Sequence, residues 1–270
     1  MASSASTDAV RRRRPEYVIE HMEEDDPDAP AVFPEWALLE YRHMLQLVGA
    51  GSTVHFTSLS KASLESLDES LRSCSSVEHA KFELHTASIT TLMTSRGMTK
   101  DKVCLLDPKA TYAISITDAG LVQSDAKPSS AGGPFEMFLF GGILGDDPPR
   151  DRTSSLRQLG FPSRHLGSIQ MTTDTALGVT KRCVEDLQLL DLDDTRQQEL
   201  AWRDHTQATA RLQWLDHPEL HFGPHESVQM PFRYMLDDSR SAEPHASKMP
   251  LMPQGMLQLI HKDLGRSFEF

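Results

Sequence analysis

The chain has 270 residues, a formal net charge of −12 and 39% hydrophobic residues, enough to bury a full core in one generous domain. The acidic balance excludes general attraction to nucleic-acid phosphate and suits a basic partner. Cys74, Cys104 and Cys183 are odd in number and outside any CxxC spacing, and no apolar run approaches the roughly 20 residues that span a bilayer, so a cytoplasmic protein with reduced thiols and no membrane segment is expected.

Residues 1–14 are small, polar and basic, with the dense run Arg11 to Arg14, and are expected to form a disordered arm, the one place where RNA contact is foreseen. Tyr17, Val18 and Ile19 are aromatic and β-branched, and Glu20 follows at once. A titratable group therefore sits at the exit of a short strand, where open α/β sheets build their sites. Pro34 opens a helix whose stripe of Ala37, Tyr41, Met44 and Val48 ends at Gly49. A strand over residues 53–59 and a helix marked by Leu64, Leu67 and Leu71 follow, and residues 78–96 give a mixed pattern. Val103 to Leu106 is a buried-type strand that ends in Asp107-Pro108, so another strand end becomes a polar turn. Residues 124–133, SDAKPSSAGG, have the composition of a flexible insertion.

The stretch FLFGGILGDDPPRDRT, residues 138–153, organises what remains. Phe138, Leu139 and Phe140 form a strand that stops at Gly141 and Gly142, and Gly145 precedes an abrupt switch to acid, Pro-Pro and arginine. Without a Cβ, these glycines let a ligand lie against backbone N–H and C=O groups. Asp146 and Asp147 stand where a triphosphate needs positive charge, and neither GxxxxGK[ST] nor GxGxxG occurs here, so phosphate is the wrong ligand. An adenosine-type ligand carrying a sulfonium cation suits backbone contacts beside carboxylates.

Beyond this loop, residues 153–160 predict a short helix and Arg164 to Leu166 a brief strand. Thr172 or Thr173 caps a helix striped by Ala176, Val179, Cys183 and Leu187. Residues 191–215 predict an inserted polar helix, with Asp194 and Gln197 as its capping box. The remainder holds a strand at MPFRY and a closing amphipathic helix with Met256, Leu257, Leu259 and Ile260. Short apolar strands alternating with helices argue for an α/β fold with a largely parallel sheet.

His217, His221 and His225 recur every four residues, but Pro218, Gly223 and Pro224 prevent the helix that would gather them, so no metal is expected there. No GxSxG is present to support a covalent hydrolase. Among the carboxylates, Glu20 beside the strand and Asp146 or Asp151 beside the glycine loop are placed to act. Arg150 and Arg152 flank Asp151 and could equally make a self-neutralising loop.

Three segments together go further: YVIEHMEE, VCLLDPKA, and FGGILGDDPPRDRT with LGSIQMTTDTA and MPFRY. They resemble the SPOUT superfamily of S-adenosylmethionine-dependent methyltransferases, and within it the protein arginine methyltransferase branch that acts on a small-subunit ribosomal protein. The resemblance runs from Tyr17 onward. It implies a Rossmann-like parallel sheet with a C-terminal deep trefoil knot over residues 15–190, and a small C-terminal extension over 216–270 that recognises a basic protein substrate. It also implies a monomer. By position, the cofactor is then held by Leu106, Asp107 and Pro108, by Phe140, Gly141, Gly142, Ile143, Leu144 and Gly145, and by Leu166, Gly167, Gln170, Met171, Thr172 and Thr173. Methyl transfer from a sulfonium to a guanidinium nitrogen asks mainly for alignment, which carboxylates supply through paired N–H bonds. Placement assigns Glu20, Asp146 and Asp151 to that acidic set, with Arg152 positioning the loop or the cofactor carboxylate. The alternatives are a SPOUT RNA methyltransferase and a non-catalytic ribosome-associated module that keeps the cofactor fold.

Overall fold

Six parallel strands make the centre of the computed structural model: β1 (Glu16–Glu20), β2 (Thr53–Thr57), β3 (Lys81–Leu84), β4 (Val103–Leu106), β5 (Met137–Gly141) and β6 (Ser163–Arg164). Their order across the sheet is β3-β2-β1-β5-β4-β6. The structure describes residues 13–22, 25, 32–73, 78–122, 132–142, 151, 153–192, 207–238 and 248–267.

Helices cover both faces, which is why β1, β4 and β5 are buried along their whole length and contain almost no polar alternation. Tyr17 and Ile19 point to the face packed by α1 (Glu35–Val48), α2 (Lys61–Arg72) and α5 (Thr173–Val184), through Ala37, Tyr41, Met44, Leu67, Leu177 and Val179. Val18 points the other way, to α3 (Ile89–Ser95) and α4 (Ser154–Gln158), through Ile89, Leu92, Met93 and Leu156. Each fully buried side chain of this size contributes about 1.5–3 kcal/mol, so the sheet centre carries much of the stability.

The chain winds to β2 and β3 on one side of β1 and then crosses to β4 and β5 on the other. In open α/β sheets the carboxyl ends beside such a reversal are where a crevice opens. Here those are the ends of β5 and β4, with β6 beyond them.

Past α5 the structure departs from the predicted inserted helix over residues 191–215. Residues 193–206 lie outside the described set. From there the chain forms β8 (Ala210–Arg211), parallel to β7 (Gln188–Leu189), and β9 (Trp214–Asp216), antiparallel to β12 (Arg233–Met235). Leu212 is buried in the main core and the Arg233 guanidinium lies 5.2 Å from the Trp214 ring, so tertiary packing overrides local helix preference. A hairpin of β10 (Glu219–Gly223) and β11 (Glu226–Gln229) spreads out His217, His221 and His225, which do not gather. The closing helix, α6 (Met256–Ser267), forms where its pattern predicts. Two residues assigned to the basic arm are engaged: Arg13 pairs with Glu16, and Arg14 donates to the Ala50 carbonyl at 3.1 Å. Of the insertion at residues 124–133, only Gly132 and Gly133 are among the described residues.

Two buried groups make this fold sensitive to acid. Burial pushes the His21 imidazole, 2.8 Å from the Tyr41 hydroxyl, down to about 4. Burial works to raise Glu16, but hydrogen bonds from His55 and Arg96 outweigh it and hold the carboxyl at about 2. His21 binds its proton more readily when unfolded, so its contribution is complete above the unfolded value of 6.5 and is lost as pH falls from there to about 4. That of Glu16 is present above 4.5 and is lost as pH falls towards about 2. The first stage is on the order of 3 kcal/mol. Thermal melts across pH are expected to show it, and His21→Gln to flatten it; a melting temperature constant from about pH 7 to about pH 4.5 in the unaltered protein would refute the assignment.

Candidate active site

Three strand ends and the turns after them converge on one cavity. After β4 the chain turns at Asp107-Pro108, where the Ala110 N–H donates to the Asp107 carbonyl and the Lys109 N–H to Asp107 Oδ1, both at 2.9 Å. After β5, Gly142 adopts φ +52°, and a Cβ there would stand 3.1 Å from Met22 Cβ, so only glycine fits both the backbone and the space. Its N–H donates to the Glu20 carbonyl and its own carbonyl accepts from Thr173 Oγ1, each at 2.8 Å. After β6, Gly167 takes φ +114° and the chain runs past Gln170 to Met171, where the Arg233 N–H donates to the Gln170 carbonyl at 2.8 Å. Met171 also bridges to Arg233, so β12 braces this third wall from outside.

The cavity between these turns has a volume of about 320 Å³, within the usual range for small-molecule sites. Leu106, Phe140, Leu166, Ile169, Met171 and Ala176 give it a mostly apolar lining. Gly141 lets β5 pack closely on α4: a Cβ there would meet Leu156 Cδ1 at 3.2 Å.

One wall is strongly charged. Arg157 of α4 grips Asp107 through both carboxylate oxygens, Nε to Oδ2 at 2.5 Å and Nη2 to Oδ1 at 2.7 Å. Its guanidinium also reaches Asp151 with two contacts of 3.1 Å, and Lys109 Nζ donates to Asp151 Oδ2 at 2.6 Å. Hydrogen bonds from Arg157 and then Lys109 hold the Asp151 carboxyl down to about 2. The same carboxylates push the Arg157 guanidinium upward, with Asp107 the largest influence. The wall is thus a chain of alternating charges, Asp107, Arg157, Asp151 and Lys109, with Asp107 buried and Asp151 at the open rim.

Most residues assigned from sequence meet here. Leu106, Asp107, Pro108, Phe140, Gly141, Leu166, Gly167, Gln170, Met171 and Thr173 line the cavity, as does Asp151. Gly142 and Thr172 stand directly behind the wall, Gly142 bonded to Thr173, and Thr172 donating to Thr175 Oγ1 at 2.8 Å. Ile143, Leu144, Gly145, Asp146 and Arg152 lie outside the described residues. Glu20 reaches the glycine turn by its backbone only. Its carboxylate lies on the α3 side of the sheet, accepting from Thr57 Oγ1 at 2.5 Å, Ser58 Oγ at 2.6 Å and the Ile89 N–H at 2.9 Å, and it is not among the cavity-lining residues. Arg157, Lys109, Thr153, Ser168, Ile169 and Ala176 also line the cavity and were not assigned as site residues. Lys109, Thr153 and Ser168 lie inside the quoted segments VCLLDPKA, FGGILGDDPPRDRT and LGSIQMTTDTA, whereas Arg157 lies outside them all.

The matching family model covers residues 16–267 and is described as "Protein arginine N-methyltransferase SFM1-like". Protein arginine N-methyltransferase SFM1 of Saccharomyces cerevisiae is 34% identical over 267 residues, covering 94% of this chain and 97% of that protein. The chain belongs to the SFM1-like protein arginine N-methyltransferase family. The crystal structure of the yeast arginine methyltransferase SFM1 complexed with SAM superposes on this SFM1-like chain with a TM-score of 0.64 at 32% identity, covering 93% of this chain and 91% of that one. For the complex with SAH the TM-score is 0.63 at 32% identity, covering 91% and 94%. The family match runs from the first residue of β1 through the last of α6 and so includes all three described walls of the SFM1-like cavity.

Proposed function

We propose that this chain transfers a methyl group to an arginine side chain of a basic small-subunit ribosomal protein, with S-adenosylmethionine as cofactor. The observation that carries the reading is the cavity itself: three turns from three parallel strand ends, apolar between, in a chain of the SFM1-like family. The residues present fit the cofactor. Leu106, Phe140, Leu166 and Met171 offer apolar surface for an adenosine, in a cavity of about 320 Å³. When bound, the cofactor supplies an electrophilic methyl on a sulfonium. Gly142 and Thr173, tied together, fix the second wall against the third. Gln170 is held in place by β12.

Asp151 at the rim is the described carboxylate best placed to meet the target guanidinium. It is neutralised on one side by Arg157 and on the other by the more exposed Lys109. An incoming arginine takes the place of Lys109, leaves Arg157 bound, and orients one nitrogen towards the cavity by paired N–H bonds. Asp146 completes the acidic set, and Arg152 positions the loop. Glu20 acts as a positioning residue, holding Gly142 through its carbonyl while its carboxylate is anchored among Thr57, Ser58 and Ile89. The net charge of −12 supports a basic protein partner, presented to the C-terminal extension, and the same reading includes a cytoplasmic monomer. It also includes a deep trefoil knot, in keeping with a chain that inserts β5 between β1 and β4 and then passes beyond β4 as β6 before α5 returns over the sheet.

The test is transfer of labelled methyl from S-adenosylmethionine into ribosomal components, with protein and RNA counted separately. Label in one small-subunit protein, lost when its target arginine becomes lysine, is the expected result. Label in RNA alone would replace this reading by an RNA methyltransferase, and cofactor binding without transfer by a non-catalytic module.

A further inference from the structure

We propose that His55, Glu83 and His85 form a zinc site at the β2–β3 edge of the sheet, on the side away from α1 and α2. His55 and Glu83 are directly opposite in the parallel register of β2 and β3, and His85 follows one residue after β3 ends. Their side chains converge. His55 Nδ1 lies 3.3 Å from His85 Nε2 and 3.3 Å from Glu83 Oε2, and His85 Nε2 lies 3.6 Å from Glu83 Oε2. A tetrahedral ion with ligands at about 2.0–2.2 Å separates them from one another by about 3.3–3.6 Å, which is the spacing of these three atoms.

The second nitrogen of His55 strengthens the case. Its Nε2 donates to Glu16 Oε2 at 2.9 Å, which leaves the Nδ1 lone pair aimed at the other two ligands. Metal-binding histidines almost always donate their other N–H to a carboxylate or carbonyl in this way. Arg96 anchors Glu16 in turn at 2.6 Å and reaches Glu83 Oε2 at 3.1 Å. With neutral imidazoles, the Glu16 and Glu83 carboxylates balance Arg96 and the exposed Arg13, so the cluster carries no net positive charge against a cation. The His55 side chain is fully buried, the Glu83 carboxylate is half exposed and His85 is partly exposed, so the fourth position opens to solvent and an ion has a way in.

Such an ion ties an edge strand to its neighbour. The Leu59 N–H donates to the His85 carbonyl at 3.1 Å and the Ser58 N–H to the Ala87 carbonyl at 3.0 Å, and Ser58 is one of the groups that anchor Glu20. The site is separate from the cofactor cavity, whose lining shares none of its ligands.

Protein stripped with a chelator is titrated with zinc by calorimetry and with cobalt(II) by visible absorption. One equivalent of each is expected, with the intense bands of a tetrahedral cobalt centre, and zinc at about a hundred times Kd is expected to raise the melting temperature by about 5 °C. His85→Asn and Glu83→Gln, both at partly exposed positions, should each weaken zinc binding by at least about tenfold, and Glu16→Gln by about 10- to 100-fold. No saturable binding to the full chain would overturn the site. So would binding unchanged in both ligand variants, which would place the metal on other histidines. An imidazolium signal from His55 that zinc does not displace would assign the cluster to a proton instead.

Discussion

Replacing Arg157 by methionine is expected to lower the melting temperature by about 5 °C and to weaken cofactor binding at least about tenfold. The reason lies in Asp107, whose side chain is 2% exposed and whose charge is matched by the two short bonds from Arg157. Breaking a buried pair from one side costs about 3–5 kcal/mol, because the remaining charge is left in a medium that solvates it poorly. Arg157 is itself one-third exposed, so water partly re-enters and the lower figure, about 3 kcal/mol, is the better expectation. Binding suffers with stability because Asp107 also holds the Lys109 N–H and shapes the first wall. Adding Asp107→Asn should restore part of the lost stability, since no buried charge then remains, and a double-mutant cycle measures this directly. A melting temperature within about 1 °C of the parent for the single variant would show that the pair is not what holds this turn.

Gly142→Val is expected to reduce turnover by at least about a hundredfold while the protein stays folded. At φ +52° a side chain costs about 1–2 kcal/mol for the backbone alone, and the new Cβ would press on Met22 Cβ at 3.1 Å. Relief comes by moving the turn, and the turn carries the carbonyl that Thr173 grips. Gly160→Ala is the matched control. Its φ is +76°, yet no atom lies within 4 Å of the added Cβ, so it bears the backbone cost without displacing a wall. Steady-state methyl transfer by the two variants separates strain from misplacement. Equal losses in both would remove the claim that the position of Gly142 matters to the chemistry.

The sheet was legible where burial is continuous. β1, β4 and β5 carry apolar runs because helices cover both faces, and α1 and α5 show their stripes because each has one wet side. The turns after β4, β5 and β6 announced themselves through Asp107-Pro108, Gly141-Gly142 and the LGSIQM segment, and the arginine methyltransferase expectation agrees with the family match. What stayed hidden depends on long-range pairing. Arg157 meets Asp107 across fifty residues, and nothing in SSLRQ signals that partner. His55 and His85 drew no reading from the sequence, because only the register sets His55 against Glu83. The strands at residues 210–216 replaced a predicted helix because Leu212 and Trp214 found partners that local propensity does not see.

The bridge between Met171 and Arg233 sets an order of events during synthesis. Sixty-two residues separate the two, so the third wall emerges from the ribosome several seconds before its brace, about 3–12 s at ordinary elongation rates. A nascent chain that ends at α5 holds every turn of the cavity but not the strand that fixes Gln170. The third wall of the cavity is therefore braced only after all six strands of the sheet have been made, with the closing helix α6 still to follow.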